Sequence, residues 1–235
     1  MINEGLVSII IPYYDSPSNN TDNLDAMLKT LKEHESGYCY EVIVAKGKKS
    51  RLDNIHDGID KAQGRYLLVC DDDLLFIQND WLKDLMNVFT IKEKVGMVGA
   101  LMLRKDKQTI EHGGSILLPD SGVFKRDTVP DFLKKVTSDY NQIKLVSQVA
   151  GCFMLYDRLI VGYFPVRVYP EVGGWEDLDF QAQIQGTGFD IYINQNVRVI
   201  HDMIEDDAER DKKYDGQQMR KSKNLTRYAE RWKRY

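Results

Sequence analysis

An α/β fold, with a mainly parallel central sheet flanked by helices, is the architecture this sequence predicts. Near-continuous apolar runs alternate with amphipathic stretches over roughly the first ninety residues, the pattern of parallel strands buried on both faces by crossover helices. The 235 residues are 43% hydrophobic and 10% aromatic, enough for one main core with a small appendage. No internal repeat or low-complexity linker divides the chain.

The elements follow in order. Leu6 to Ile11 reads as a strand stopped by Pro12, and Leu24, Met27, Leu28 and Leu31 then share one helix face. Glu41 to Ala45 is the second strand. Ser50 with Asp53 resembles a capping box opening a helix that Gly64 would stop. Tyr66 to Cys70 is the third strand, and Asn79 is a cap for a helix striped by Leu82, Leu85, Met86 and Phe89. Gly96 to Leu103 is β-rich. Thr109 to Asp127 reads as a hairpin turning on Gly113, Gly114 and Gly122. Val146 to Tyr156 is an apolar strand, Asp177 to Gln185 a helix, and Asp190 to Ile193 and Val197 to Ile200 two short strands. Met219, Leu225, Tyr228 and Trp232 recur at roughly helical spacing in a final helix docked by one face.

Composition narrows the class. No apolar run reaches the roughly 20 residues that span a bilayer, so no transmembrane segment is expected. The start, MINEGLVSIIIPYYD, has no basic leader region or small-residue cleavage site, which implies a cytoplasmic protein. Cys39, Cys70 and Cys152 lie far apart without CxxC spacing and read as reduced core thiols. The net charge of −4 is uneven: Ala208 to Tyr235 holds ten Lys/Arg against four Asp/Glu, a tail of +6 on a body of −10. Such a tail can dock on the acidic body, lie on an anionic membrane or contact nucleic acid, although no nucleic-acid-binding motif is present.

Ligands of open α/β sheets bind beyond the carboxyl ends of the strands, so polar residues just after apolar runs are the candidates. The third strand ends in Asp71, Asp72 and Asp73, of which the first and third point to one side. Two like charges so placed repel unless a cation lies between them, and oxygen ligands suit Mg²⁺ or Mn²⁺ shared with a substrate phosphate. A solvated acidic loop is the plain alternative. In GGWEDLDF, residues 173–180, Glu176, Asp177 and Asp179 crowd a helix start beside Trp175. They serve either as helix caps or, for one of them, as a general base. His201 follows the apolar Val197 to Ile200, a surface residue or a further metal ligand.

These residues, in this order, resemble the family-2 glycosyltransferases of GT-A (Rossmann-like) fold over roughly residues 5–203. VSIIIPYYD is similar to the family's opening strand and donor loop; Gly58, Ala62, Gly64 and Tyr66 stand in its AxG(x)Y segment; and CDDDLLF resembles its DxD element. TIEHGGSIL, GCFMLYDR with Gly162 and Phe164, WEDLDF and VRVIHD follow in the family's order. The resemblance implies Asp71, Asp73 and His201 as ligands of Mn²⁺ or Mg²⁺ and Asp177 as catalytic base. It also implies Pro12, Tyr14, Asp15 and Asp72 on the donor side, and Trp175 and Glu176 on the acceptor side as in galactofuranosyl- and rhamnosyltransferase-like branches.

The implied reaction moves a sugar, with inversion, from a UDP- or dTDP-type sugar to a hydroxyl acceptor. The implied organisation is a GT-A domain over residues 1–205 and a basic helical extension over 206–235. The chain departs from the family after its second strand, where Lys46, Gly47, Lys48, Lys49 and Ser50 replace an acidic pair and a Gly-Ser turn. Lys46, Lys48 or Arg51 are then candidates for donor phosphates, with an exposed basic turn as the alternative, and His56 stands where asparagine is usual. A nucleotidyltransferase would carry a Gly-rich basic loop where this chain has PYYDSPSNN. A non-catalytic nucleotide-sugar-binding module would leave the carboxylate and histidine set to coincidence.

Overall fold

The computed structural model describes residues 2–13, 21–47, 50–116, 131–162 and 176–201. Along them run β1 (Asn3–Pro12), α1 (Thr21–Glu33), β2 (Tyr40–Ala45), α2 (Arg51–Lys61), β3 (Gly64–Cys70), β4 (Leu74–Phe76) and α3 (Trp81–Ile91). Then come β5 (Val95–Leu103), β6 (Ile110–His112), β7 (Ile143–Val146), β8 (Phe153–Asp157), α4 (Arg158–Val161), α5 (Glu176–Gly186) and β9 (Asp190–His201). All strands join one nine-stranded sheet in the order β2-β1-β3-β8-β5-β9-β4, with β6 beside β5 and β7 beside β9. β1, β2, β3, β5 and β9 run one way; β8 is inserted antiparallel between β3 and β5. The mixed, mainly parallel sheet is the one the apolar runs predict.

Successive side chains of a strand face opposite sides, so β1 sends Val7, Ile9 and Ile11 to one face and Ile10 to the other. The first set packs with Met27 and Leu31 of α1 and Leu82 and Leu85 of α3. Ile10, with Leu67 and Val69 of β3, packs against Ile55 and Ile59 of α2 and Phe180 and Ile184 of α5. Helices on both faces explain why these strands read as unbroken apolar runs. Ser50 does cap α2, accepting the Asp53 N–H and donating to the Asp53 carboxylate at 2.8 Å.

The tertiary structure corrects several local readings. Gly64 does not stop α2, which ends at Lys61; it opens β3. A Cβ there would lie 2.5 Å from the Leu6 carbonyl oxygen, so close approach to β1 is what requires glycine. Asn79 does not cap α3: its side chain accepts the Glu35 N–H, and Asp80, with φ of 56°, precedes the helix. The expected strand Val146 to Tyr156 is two strands, β7 and β8, separated by a turn, because β7 belongs to the edge of β9 and β8 to the sheet centre. The two short late strands are one, β9, whose register against β5 slips between Asn194 and Arg198. The start of the expected hairpin pairs with β5 through β6 and with Lys135 through Thr109, while Gly122 and Asp127 lie outside the described residues. The basic tail, 206–235, lies outside them too. Among the described residues no helix is long and apolar enough to cross a membrane.

Candidate active site

The site forms at the carboxyl edge of the sheet. Asp71 continues the line of β3, its N–H donating to the Cys152 carbonyl (3.1 Å) in the turn before β8. Asp72 and Asp73 turn the chain into β4, whose first residue, Leu74, lies opposite His201 at the end of β9. That register brings Asp73 Oδ1 to 3.2 Å from His201 Nε2. On the other side of the ring, Nδ1 lies 2.9 Å from Glu111 Oε1, a carboxylate of β6.

Burial works against a charge on His201, but the hydrogen bonds to Asp73 and Glu111 outweigh it and raise the imidazole above its ordinary range. Burial likewise pushes the Cys152 thiol up to about 12, so the sulfur stays neutral and the two carboxylates hold the imidazolium proton.

Asp177 arrives from the first turn of α5. It presses on Gly151, where a Cβ would collide with its carboxylate, so the residue at 151 sets how near the base candidate approaches the turn. Burial first, then the neighbouring Glu176, push the Asp177 carboxyl up to about 6 against the opposing pull of Arg51 and the helix-start N–H groups. A carboxyl near that value is ionised at neutral pH yet basic enough to take a proton.

Arg51, the first residue of α2, ties these parts together. Its guanidinium donates to Asp71 Oδ1 at 2.9 and 2.6 Å and to the Gly151 carbonyl at 3.0 Å, and lies 3.4 Å from Glu176 Oε1. Burial opposes its charge, but Asp71 and then Glu176 outweigh it and raise it above the ordinary arginine range. A cleft of about 250 Å³ opens beside this cluster, lined by Glu111, His112, the Gln148 to Cys152 turn, Asp177 and His201.

The structure therefore brings His201 and Asp177 to one cleft, with Asp73 held against His201 and Asp71 behind the Cys152 turn. Pro12, buried at the end of β1, and Lys46, exposed just after β2, share the carboxyl edge with Asp71. Asp72 is partly exposed in the turn, and Glu176 is buried facing Arg51. Tyr14, Asp15 and Trp175 lie outside the described residues.

Among the described residues no three His, Cys, Asp or Glu side chains stand as a ready metal-holding group. Asp73 and His201 meet, whereas Asp71 is turned to Arg51. The donor set nevertheless fits a divalent ion: a carboxylate oxygen, an imidazole Nε2, and a second carboxylate, Glu111, orienting the ring through Nδ1. A metal there would replace the Nε2 proton.

Sequence reasoning missed Glu111 and Gly151. The available signals were a carboxylate in TIEHGGSIL and the glycine opening GCFMLYDR, but neither motif states which side chain it faces.

The GT-A fold is also found in solved structures. GalNAc-T7, crystallised with UDP, GalNAc and Mn²⁺, shares the fold with a TM-score of 0.58 and 11% identity over 86% of this chain and 44% of that one. The mannosyltransferase PcManGT from Pyrobaculum calidifontis, in complex with GDP-Man and Mn²⁺, gives 0.50 and 14% over 86% and 58%. The chain thus spans 44% and 58% of the lengths of these two proteins. Residues 18–157 match the family described as "Glycosyltransferase like family", and the chain belongs to that family. The matched stretch contains Arg51, Asp71, Asp73, Glu111 and Gly151 and ends before Asp177 and His201. No curated protein matches the chain.

Proposed function

We propose that this protein is an inverting, metal-dependent glycosyltransferase moving a sugar from a nucleoside-diphosphate sugar to a hydroxyl acceptor. The observation that carries the reading is convergence: His201 at the end of β9 and Asp177 at the start of α5 line one cleft, and Asp73 on the approach to β4 lies 3.2 Å from His201, although their order in the chain keeps them far apart. A capping carboxylate or a surface histidine has no need of such a meeting.

In this reading residues 1–205 form the catalytic domain and 206–235 a basic extension. Pro12, Tyr14, Asp15 and Asp72 lie on the donor side, with Lys46 and Arg51 as its cationic contacts. Arg51 would have to release Asp71 to meet a phosphate. Glu176 opens the helix that delivers Asp177 and, with Trp175, is assigned to the acceptor side.

Asp73 and His201, with Asp71, would hold Mn²⁺ or Mg²⁺, which when bound supplies electrostatic stabilisation to the leaving diphosphate. Asp177 takes the proton of the acceptor hydroxyl as its oxygen forms the new bond to the anomeric carbon. The bond from that carbon to the diphosphate oxygen breaks, and its electron pair leaves with the phosphate. One base acting on the face opposite the leaving group inverts the anomeric centre, with no covalent sugar-enzyme intermediate.

The test is a melting-temperature screen of UDP-, dTDP- and GDP-sugars with and without Mn²⁺, followed by NMR of the anomeric configuration of the product. Metal-dependent stabilisation by a nucleotide sugar and an inverted product are expected; stabilisation by none of them, or a retained configuration, would overturn the reading.

A further inference from the structure

Part of the cleft wall is built by β6, by the end of β5 and by the turn after β7. His112 of β6 lines it, and its Nδ1 accepts the Gly114 N–H at 3.2 Å. That bond places the lone pair on Nδ1 and the proton on Nε2. Among the described residues the Nε2–H has no protein acceptor. Burial keeps the ring neutral, moving it down to about 4 against the weaker pull of Glu111.

Gln148 lines the same cleft and is only 3% exposed. Its backbone is fixed by reciprocal hydrogen bonds with Ser115, and its Oε1 accepts from Ser115 Oγ at 3.4 Å. Among the described residues its amide nitrogen has no acceptor. Donors that line a cleft without a protein acceptor are satisfied by water or by the oxygens of a ligand.

Phe132, half-buried, lines the same cleft and gives it apolar surface. Two neutral donors beside an aromatic ring suit a neutral, oxygen-rich ring whose C–H face can lie on that side chain. A phosphate would demand a cation in their place, and an ammonium would demand acceptors. The same cleft holds Asp177 and His201, so the ring it suits is at the reacting end.

We infer that His112 Nε2 and Gln148 Nε2 are substrate contacts that hold oxygens of the sugar being transferred. The inference rests on the glycosyl-transfer reading, and its test separates the two. Binding of UDP, UDP-glucose, dTDP, dTDP-glucose, GDP and GDP-mannose to the full chain with Mn²⁺ is measured by calorimetry. The variants are His112→Asn, which keeps an acceptor for Gly114 but removes Nε2, His112→Gln, which returns a donor near that place, and Gln148→Met.

His112→Asn and Gln148→Met are each expected to weaken the preferred nucleotide sugar about tenfold, the worth of one hydrogen bond, while the sugar-free diphosphate binds as to wild type. His112→Gln should recover most of the loss, and unchanged diphosphate binding doubles as the check that each variant is folded. Equal weakening of sugar-bearing and sugar-free nucleotides, or no weakening of either, overturns the assignment while leaving glycosyl transfer standing. Wild-type protein that binds none of these nucleotides overturns both.

Discussion

The first half of the sheet and the second are built by different rules. β1, β2 and β3 run parallel, joined through α1 and α2, and residues such as Val7, Ile9, Ile10, Leu67 and Leu68 are wholly buried. From β6 onward the pairing is mostly antiparallel, β9 slips register against β5, and the chain breaks between β7 and β8 at Gly151. The regular half delivers Asp71 and Asp73 simply by ending a strand. The irregular half delivers Glu111, Gly151, Asp177 and His201 from a short strand, a turn, a helix start and a strand end. Regularity makes the platform, and departures from it aim the side chains.

If that division holds, substitutions in the irregular half should affect turnover more than stability, and those in the regular half the reverse. The largest effect belongs to Asp177→Asn, which should lower kcat by about 10³-fold, the scale of a lost general base, with metal-dependent donor binding nearly intact. In the unchanged enzyme kcat should climb as pH rises through about 6, where Asp177 ionises, and then level off.

The stability consequence has the opposite sign. The folded carboxyl is raised above its unfolded value, so its ionisation costs stability between about pH 4 and 6 and that cost persists above. At pH 7.5 Asp177→Asn should therefore melt higher, by the equivalent of about 1–3 kcal/mol. A mutant with wild-type turnover, or one that melts lower, would count against both statements.

Gly151→Ala comes next. Its methyl would displace the Asp177 carboxylate, and kcat should fall about 10–100-fold with little change in melting temperature. Glu111→Gln is smaller: losing the carboxylate that orients His201 should weaken Mn²⁺ binding about tenfold, read by titration calorimetry of the metal itself.

Smallest for catalysis is Gly64→Ala in the regular half. Its methyl meets the backbone of β1, so it should destabilise by about 1–3 kcal/mol in urea unfolding while kcat of the folded fraction stays unchanged. Equal losses of turnover in Gly64→Ala and Gly151→Ala would erase the contrast between the halves.

Where a residue's environment is set by its near neighbours, the sequence was readable. The apolar runs ending at Pro12, Ala45 and Cys70, the α1 face and the Ser50 cap follow from periodicity and capping chemistry, and all appear in the structure. The readings that failed share a cause: Gly64, Asn79 and the 146–156 run are decided by what packs on them from afar. Gly64 looks like a helix stop until β1 lies against it, and Asn79 looks like a cap until the Glu35 backbone claims its side chain.

By itself, then, the sequence determined the α/β layering, the positions of the acids at a strand end and a helix start, and the family, because burial patterns and short motifs are local. Only the tertiary structure decided that His201 meets Asp73, that Glu111 stands behind it, and that Arg51 links Asp71 to Glu176. Those meetings depend on strand order and register, which place side chains from distant parts of the chain within hydrogen-bond reach and leave no periodic trace in the sequence.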